Sequence, residues 1–201
     1  VNRLDSPITQ LINVVEKELS QLPIGLQEHI YRTRILSRKI AESHGAETEK
    51  CDLGASAHDI ARHWTENKLI TEARRLGLDI TEVENDEPLL LHGPIGAHWL
   101  RNRLACSDLE IVSAVNYHTT GRPEMSQVEK IVFIADKIEP QKIKKYPELG
   151  SIMDIVMDDL DGAILRYLAL RIRSILANGG VVHPRALETW NWLILKRNSC
   201  Q

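Results

Sequence analysis

The sequence SQVEKIVFIADKIEP, residues 126–140, is the most informative segment of this chain for the class of fold. Ser126 followed three residues later by Glu129 is the pattern of a capping box at the start of a helix. The apolar residues behind it do not alternate with polar ones, as they would in a half-buried strand. Asp136 stands four residues after Val132 in this apolar setting, where an unpaired charge would be expensive. We therefore expect a buried helix that carries a carboxylate into the core.

Outward from this stretch, caps and breakers divide the rest of the chain into further helices. We found neither a strand pattern of useful length nor an internal repeat. The sequence therefore predicts an all-α fold in a single domain, 1–201, with an N-terminal helix at 6–20 and a core at roughly 26–193. Other expected features are helices at 26–44, 48–62, 65–77 and 152–176, helices after Pro94 and Pro184, a capping box of Ser107 with Glu110, and a loop at 81–88.

Composition excludes several classes of protein. The net charge of -3 argues against a general nucleic-acid binder, which needs many positive charges to neutralise phosphates. The longest apolar stretch, 163–177, contains three arginines and predicts no membrane span. The first residues do not form a signal peptide, and three widely spaced cysteines form no disulfide framework. We expect a cytoplasmic protein without nucleic-acid or membrane partners.

Several histidines and aspartates occupy positions that predict an inward direction. His29 shares a helical stripe with apolar residues, and His118 lies three residues after Val115 on another. A single histidine of this kind is usually a hydrogen-bonded core residue. The joint pattern, with Asp136 and the adjacent pair His58–Asp59, is better explained by a bound metal. Imidazole and carboxylate ligands suit iron, manganese, cobalt or zinc, and the lack of cysteine ligands argues against a closed structural zinc site.

The order of the histidines and aspartates, and the sequence motifs around them, resemble those of a known family. The set resembles the metal phosphohydrolases of the HD domain superfamily, whose fold is a helical bundle. The words AHDIAR, LHGPIGAHWL, YHTTGRPEM and ADKIEP closely resemble the YqeK family of symmetrical bis(5'-nucleosyl)-tetraphosphatases. The resemblance spans roughly residues 26–193. The members of the set are His29, His58, Asp59, His92, His118 and Asp136.

This resemblance implies a centre with two divalent transition-metal ions, with iron expected first and manganese or cobalt as alternatives. One ion would be held by His29, His58, Asp59 and Asp136, and the other by His92, His118 and a bridging Asp59. Two such ions can hold a hydroxide at neutral pH and neutralise phosphoryl oxygens during in-line attack. The catalytic candidates are thus Asp59, Arg62 and Arg122.

Cationic residues near these ligands are candidates for binding phosphate. Guanidinium groups match phosphate oxygens in pairs, which favours Arg62 and Arg122. Lys137, Lys142 and His63 are further candidates, and the alternative for all of them is ordinary solvated surface charge. Family members commonly carry lysine at the position of Arg62 and arginine near Lys142.

Three functions remain open at this point. The resemblance implies symmetrical hydrolysis of diadenosine tetraphosphate to two molecules of ADP. The same centre could serve a nucleotide phosphatase or phosphodiesterase that acts on another nucleotide. A regulator that binds nucleotides without turnover is the alternative outside enzymes, although a complete ligand set argues against it. We expect a dinucleoside polyphosphate or another nucleotide as the substrate, and a monomer or homodimer.

Overall fold

The computed structural model describes residues 6–199, and within this range the chain forms α-helices and two short 3₁₀ helices but no strand. The predicted all-α fold is therefore confirmed. None of the described helices combines the length and the apolar character that a membrane span requires. The helices are α1 (Pro7–Leu19), α2 (Ile24–Ser43), α3 (Thr48–Ala57), α4 (Glu66–Arg75), α5 (Glu82–Asp86), α6 (His92–Arg103), α7 (Leu109–Tyr117), α8 (Gln127–Ile138), α9 (Pro140–Lys145), α10 (Gly150–Met153), α11 (Leu160–Ala177) and α12 (Pro184–Asn198), with 3₁₀ turns at Pro88–Leu91 and Pro147–Leu149.

Helix α8 lies at the centre of the largest buried cluster. The predicted capping box is present, because Oγ of Ser126 accepts from the Glu129 backbone and the Glu129 carboxylate accepts from the Ser126 N–H at 2.8 Å. Most residues of the helix are buried, and it contacts α2, α3, α7 and α11. Asp136 in its last turn is therefore inside the molecule and needs a partner there.

The N-terminal helix α1 forms as predicted and packs on the core of the same chain. Its fully buried Val15 belongs to a second apolar cluster, to which α2, α3, α6 and α7 also contribute. Arg34 of α2 joins the three N-terminal helices, because its guanidinium lies 2.8 Å from Glu16 of α1 and 2.8 Å from Asp52 of α3. The apolar face of α1 is thus used for packing inside the molecule.

Helix α3 ends earlier than predicted. It stops at Ala57, whereas we expected it to reach Arg62, and residues 58–63 form turns with hydrogen bonds from residue i to residue i−3. His58 is the C-cap, and its Nδ1 lies 2.7 Å from the Ala55 carbonyl oxygen. The early end places His58 and Asp59 in a tight turn, where both side chains are fully buried.

The predicted helix 152–176 is wrong as one continuous element. Helix α10 ends at Met153, turns follow, and α11 begins at Leu160. Asp159 starts the new helix, because its Oδ1 accepts from the Gly162 N–H at 2.7 Å. A carboxylate placed to cap a helix therefore outweighs the apolar periodicity that runs through this segment.

Two shorter predictions also need correction. The predicted capping box of Ser107 with Glu110 does not form, because Asp108 is the N-cap of α7 and accepts from the Glu110 N–H at 3.0 Å. The predicted loop 81–88 contains α5, which has its own capping box of Thr81 and the buried Glu84. In each segment the residue that caps the helix, Asp108 for α7 and Thr81 for α5, could not be identified from spacing alone.

Helix α12 packs against two other segments of the chain. Gly121 follows α7 with a φ of +70°, and a Cβ at this position would lie 2.9 Å from Oγ1 of Thr189 on α12. His183 caps the start of α12, and its Nε2 lies 3.0 Å from Oε1 of Glu84. The C-terminal helix thus holds the loop after α7 and the start of α5.

Candidate metal centre

Five segments bring the six predicted ligands together inside the molecule. The side chains come from the middle of α2, the turn after α3, the start of α6, the C-cap of α7 and the last turn of α8. All six residues are buried, and groups of three have ligand atoms within 4.8 Å of one another. Their assignment as ligands stays a prediction; their convergence is a feature of the structure. They are His29, His58, Asp59, His92, His118 and Asp136.

One half of the cluster contains two histidines and two carboxylates. Nε2 of His29 lies 3.0 Å from Oδ1 of Asp136 and 3.4 Å from Oδ2 of Asp59. Nε2 of His58 lies 3.4 Å from the same Asp59 oxygen and 3.7 Å from Oδ1 of Asp136. These four side chains form the set that the resemblance assigns to the first ion.

The other half contains the remaining two histidines and the second oxygen of Asp59. Oδ1 of Asp59 lies 3.0 Å from Nε2 of His92 and 3.5 Å from Nε2 of His118. The two oxygens of one carboxylate therefore face two different pairs of imidazoles. This is the geometry expected of a carboxylate that bridges two cations.

Hydrogen bonds at the far side of each ring show which nitrogen faces the centre. Nδ1 of His58 and Nδ1 of His118 lie 2.7 and 2.8 Å from the carbonyl oxygens of Ala55 and Val115. Nδ1 of His92 contacts the Leu89 carbonyl in the same way. A carbonyl oxygen only accepts, so each Nδ1 donates to it and each ring turns Nε2 toward the centre.

The histidine Nε2 atoms and Oδ1 of Asp59 face one another across the centre, with few hydrogen-bond donors among them. Nε2 of His92 and Nε2 of His118 lie 2.9 Å apart, and the Nε2 atoms of His29 and His58 lie 3.3 Å apart. Within residues 6–199, Oδ1 of Asp59 is the one buried side-chain oxygen or nitrogen without a hydrogen-bond partner, because its close histidines lack hydrogen-bond geometry. A metal cation among these atoms would give all of them a partner. The donor set therefore fits divalent transition metals.

The charges of the centre also favour a cation. Burial raises the pKa of Asp59, but the imidazoles around it outweigh this effect and hold the pKa well below its usual range. Burial likewise opposes ionisation of Asp136, but Lys137 and Lys142 hold its pKa well below the usual range. Burial lowers the pKa of His118 to about 3, so this ring is neutral at pH 7. Metal ligands must be deprotonated, and these groups meet that requirement.

Three of the predicted phosphate-binding residues contact the two carboxylates of the centre. Nη1 of Arg62 lies 2.8 Å from Oδ2 of Asp59. Nζ of Lys137 and Nζ of Lys142 each lie 2.6 Å from an oxygen of Asp136. Arg62 is about one-third exposed, so its guanidinium can meet a ligand from solvent as well. The structure therefore brings these three cations to the edge of the centre.

The other two predicted phosphate contacts lie in different surroundings. Arg122 forms a bidentate pair with the buried Glu129, at 2.6 and 2.8 Å, and its guanidinium lies 5.3 Å from the centre of the Tyr117 ring. His63 is exposed beside Trp64. The described contacts of these two residues are therefore with neighbours other than the six-residue cluster.

Sequence reasoning missed a second layer behind His29. Glu139 is buried. Its Oε1 lies 3.4 Å from Nδ1 of His29, and its Oε2 lies 2.6 Å from Nε of Arg32. Burial raises the pKa of Glu139, but these hydrogen bonds and one from the Gln141 backbone lower it overall. No local pattern in the sequence identifies it, because Glu139 lies between α8 and α9 and meets His29 only in the folded chain.

Comparisons with known proteins agree with this geometry. The sequence model of the HD domain family matches residues 26–141. The chain is similar to a symmetrical bis(5'-nucleosyl)-tetraphosphatase of Halalkalibacterium halodurans, with 34% identity over 186 residues that cover 90% of this chain and 97% of the relative. A Bacillus subtilis protein of the same name is 28% identical over 183 residues, covering 89% and 97%.

A solved structure is similar over almost the whole molecule. It is a predicted HD superfamily hydrolase involved in NAD metabolism from Clostridium acetobutylicum, with a TM-score of 0.85 and 26% identity. The match covers 92% of this chain and 96% of the other. Both the ordered ligand set and the similarity along the chain lead to the same conclusion. The chain belongs to the HD domain family and, within it, to the YqeK family of symmetrical bis(5'-nucleosyl)-tetraphosphatases.

Proposed function

We propose that this protein is a metal-dependent hydrolase that cleaves diadenosine tetraphosphate symmetrically to two molecules of ADP. One observation carries the proposal: the two oxygens of the buried Asp59 face two separate pairs of imidazole Nε2 atoms. A structural histidine cluster would instead place donors opposite these acceptors. The names of the similar proteins from Halalkalibacterium halodurans and Bacillus subtilis supply the substrate.

The chain's own residues would perform two tasks in this reaction. Asp59 would hold both halves of the centre at a fixed separation, while the histidines and Asp136 complete each half. Two bound divalent ions would supply a hydroxide nucleophile and neutralise charge on the phosphoryl oxygens. We propose iron as the resident metal, with manganese or cobalt as substitutes, because imidazole and carboxylate ligands accept all three.

The cations at the edge of the centre would bind the phosphate chain. Arg62, Lys137 and Lys142 already contact its carboxylates, so their positive charges lie where phosphoryl oxygens would approach. We propose the same role for Arg122 and His63 through the leaving half of the substrate. Charge-assisted hydrogen bonds from these cations would each be stronger than bonds between neutral groups.

We further propose that residues 1–201 act as one domain, as a monomer or homodimer, in the cytoplasm. The contacts of α1 and α12 with the HD-matched segment support the single domain. Cys51 and Cys106 are buried free thiols, which is compatible with a reducing compartment.

Incubation with a panel of nucleotides tests the proposed function. The purified protein is reconstituted with iron, manganese or cobalt and incubated with diadenosine tetraphosphate, GTP, dNTPs and cyclic dinucleotides, and the products are separated by chromatography. We expect ADP from diadenosine tetraphosphate to form fastest. Faster hydrolysis of another nucleotide would support the phosphatase or phosphodiesterase alternative. Nucleotide binding without any cleavage would support the regulator.

A further inference from the structure

The four histidines of the centre differ in what holds the far side of their rings. His58, His92 and His118 each direct Nδ1 to a backbone carbonyl three residues earlier in the chain. His29 instead directs Nδ1 to the carboxylate of Glu139, at 3.4 Å, across 110 positions of the sequence. One ring of the four is therefore oriented by a charged side chain that belongs to a different element.

The Glu139 carboxylate is itself held in place. Only 2% of its side chain is exposed. Its Oε2 accepts from Nε of Arg32 at 2.6 Å and from the Gln141 N–H at 3.0 Å, where Glu139 caps the start of α9. The remaining oxygen, Oε1, is the one that faces His29. The acceptor for the His29 ring therefore has little freedom to move.

A carboxylate behind a metal-binding histidine does two things that a backbone carbonyl does less strongly. It fixes the tautomer with the proton on Nδ1, and its negative charge makes the opposite nitrogen a better donor to a metal. We propose that Glu139 is a positioning residue that aims Nε2 of His29 at the half of the centre shared with His58 and Asp136. Arg32 supports it by holding the carboxylate. This inference rests on the proposed metal-dependent function.

The two halves of the centre should respond differently to loss of the Glu139 charge. Glu139 contacts His29 and has no described contact with His92 or His118. The Nδ1 atoms of those two rings face backbone carbonyl oxygens instead. Loss of the Glu139 charge should therefore weaken one ion and spare the other. A purely structural role as the cap of α9 would lower stability without this asymmetry.

The test is a metal titration of the full chain with a matched control. Wild type, Glu139→Gln and Glu84→Gln are equilibrated with cobalt buffered by a chelator, and bound ions are counted by elemental analysis. Glu84 is a suitable control because it is also buried, also accepts at a helix start and also contacts a histidine, His183, outside the centre. We expect Glu139→Gln to weaken one of the two binding steps by about 10- to 100-fold and to leave the other unchanged. Glu84→Gln should change neither step.

A second readout follows the tautomer directly. In the zinc-loaded protein, the Nδ1–H proton of His29 should give its own NMR signal, which should shift in Glu139→Gln while the signals of His58, His92 and His118 stay in place. If Glu139→Gln does not fold, Arg32→Gln takes its place and should weaken the same binding step to a smaller extent. Unchanged binding steps and an unchanged His29 signal in a folded Glu139→Gln protein would overturn the proposal.

The outcomes separate this inference from the proposed function. Wild type that binds two ions but leaves diadenosine tetraphosphate intact would reject the substrate, and the titration would still decide the role of Glu139. Wild type that binds no metal would reject both. Equal weakening of both binding steps would show that Glu139 acts on the fold as a whole and would reject the positioning role.

Discussion

Asp59 turns its two oxygens toward two different pairs of histidines, as the proposed two-ion centre requires. It follows His58 in a turn of i to i−3 hydrogen bonds, so that a histidine and an aspartate from adjacent positions both face inward. A regular helix would direct adjacent side chains about 100° apart and could not aim both at one point. The end of α3 at Ala57 is therefore a requirement of the site.

We predict that Asp59→Asn is the most severe single change in the centre. The amide keeps the size of the side chain but lacks the charge that two cations would share, so both ions should be lost. Turnover should fall by about 1000-fold or more, because the ions supply the nucleophile and several kcal/mol of charge stabilisation. Elemental analysis and the initial rate of ADP formation provide the measurement. His98→Asn, outside the six residues, is the control, and an Asp59→Asn protein with two ions and normal turnover would reject the bridge.

A second prediction for a single side chain concerns Arg122. Arg122→Ala should reduce turnover while both ions stay bound, because the guanidinium contacts Glu129 and Tyr117 and not the six residues of the centre. The change to alanine also leaves Glu129 buried without its ionic partner, so we expect a loss of about 1–3 kcal/mol in the free energy of unfolding.

Glu129→Gln separates these two effects. This variant weakens the same ion pair but keeps the guanidinium, and it should therefore lose stability with a smaller change in turnover. Urea unfolding, metal content and kinetics are measured for both variants. If Arg122→Ala loses stability alone, Arg122 serves only to anchor the loop after α7.

At the scale of elements, the sequence predicted which segments are helical better than where they end. Ser126 and Glu129 identified α8, and the six residues that converge in the centre could be named from the chain. The break before α11 could not be read from the sequence, because the apolar periodicity continues through it. Its position depends on which carboxylate caps the next helix. Glu139 was missed for a related reason: its role depends on His29, which only the packing of α2 near the end of α8 brings close.

A prediction at this scale concerns the ion pair that joins three helices. Asp161 of α11 lies 2.6 Å from Nζ of Lys130 on α8 and 2.7 Å from Nζ of Lys196 on α12. Burial raises the pKa of Asp161, but these two lysines outweigh it and lower the pKa below the ordinary 3.8. A depressed pKa in the folded state means that the ionised carboxylate stabilises the fold above about pH 4.

We therefore expect Asp161→Asn to lose about 1–3 kcal/mol in the free energy of unfolding at pH 7, since Lys130 is left buried without its partner. The difference from wild type should shrink as the pH falls below 3.8 and through the lower pKa of the folded state, because wild type then loses the same charge. Urea unfolding of both proteins between pH 7 and pH 3 measures this. A difference that stays constant over that range would mean that the charge of Asp161 contributes nothing.

At the scale of the whole molecule, segments outside the HD match complete the surroundings of the centre. The match ends at residue 141, yet α12 contacts Gly121 through Thr189 and contacts Glu84 through His183. At the other end, α1 joins α2 and α3 through the Arg34 ion pairs. The loop after His118 is thus held by the C-terminal helix as well as by the HD-matched segment, which favours a fixed position of this loop beside the centre.

The last prediction concerns the position of the cut in the tetraphosphate bridge. A tetraphosphate bridge can be cut at its centre to give two ADP, or off-centre to give ATP and AMP. A central cut requires one nucleoside diphosphate half to be held so that its β-phosphorus, and no other, reaches the nucleophile in line. The cations at the edge of the centre, Arg62, Lys137 and Lys142, are placed to set this register by binding the phosphates on either side of the scissile bond.

Hydrolysis of diadenosine tetraphosphate in ¹⁸O-labelled water, followed by mass spectrometry of the first products, measures the position directly. We expect one labelled and one unlabelled ADP in each event, and we expect added ADP to inhibit, because it fills the half-site that sets the register. Arg62→Ala should weaken that register, so a small fraction of ATP and AMP should appear in this variant. ATP and AMP as the initial products of the wild-type protein would reject the central cut, since the bond broken would then join an α- to a β-phosphorus and the leaving group would not be ADP.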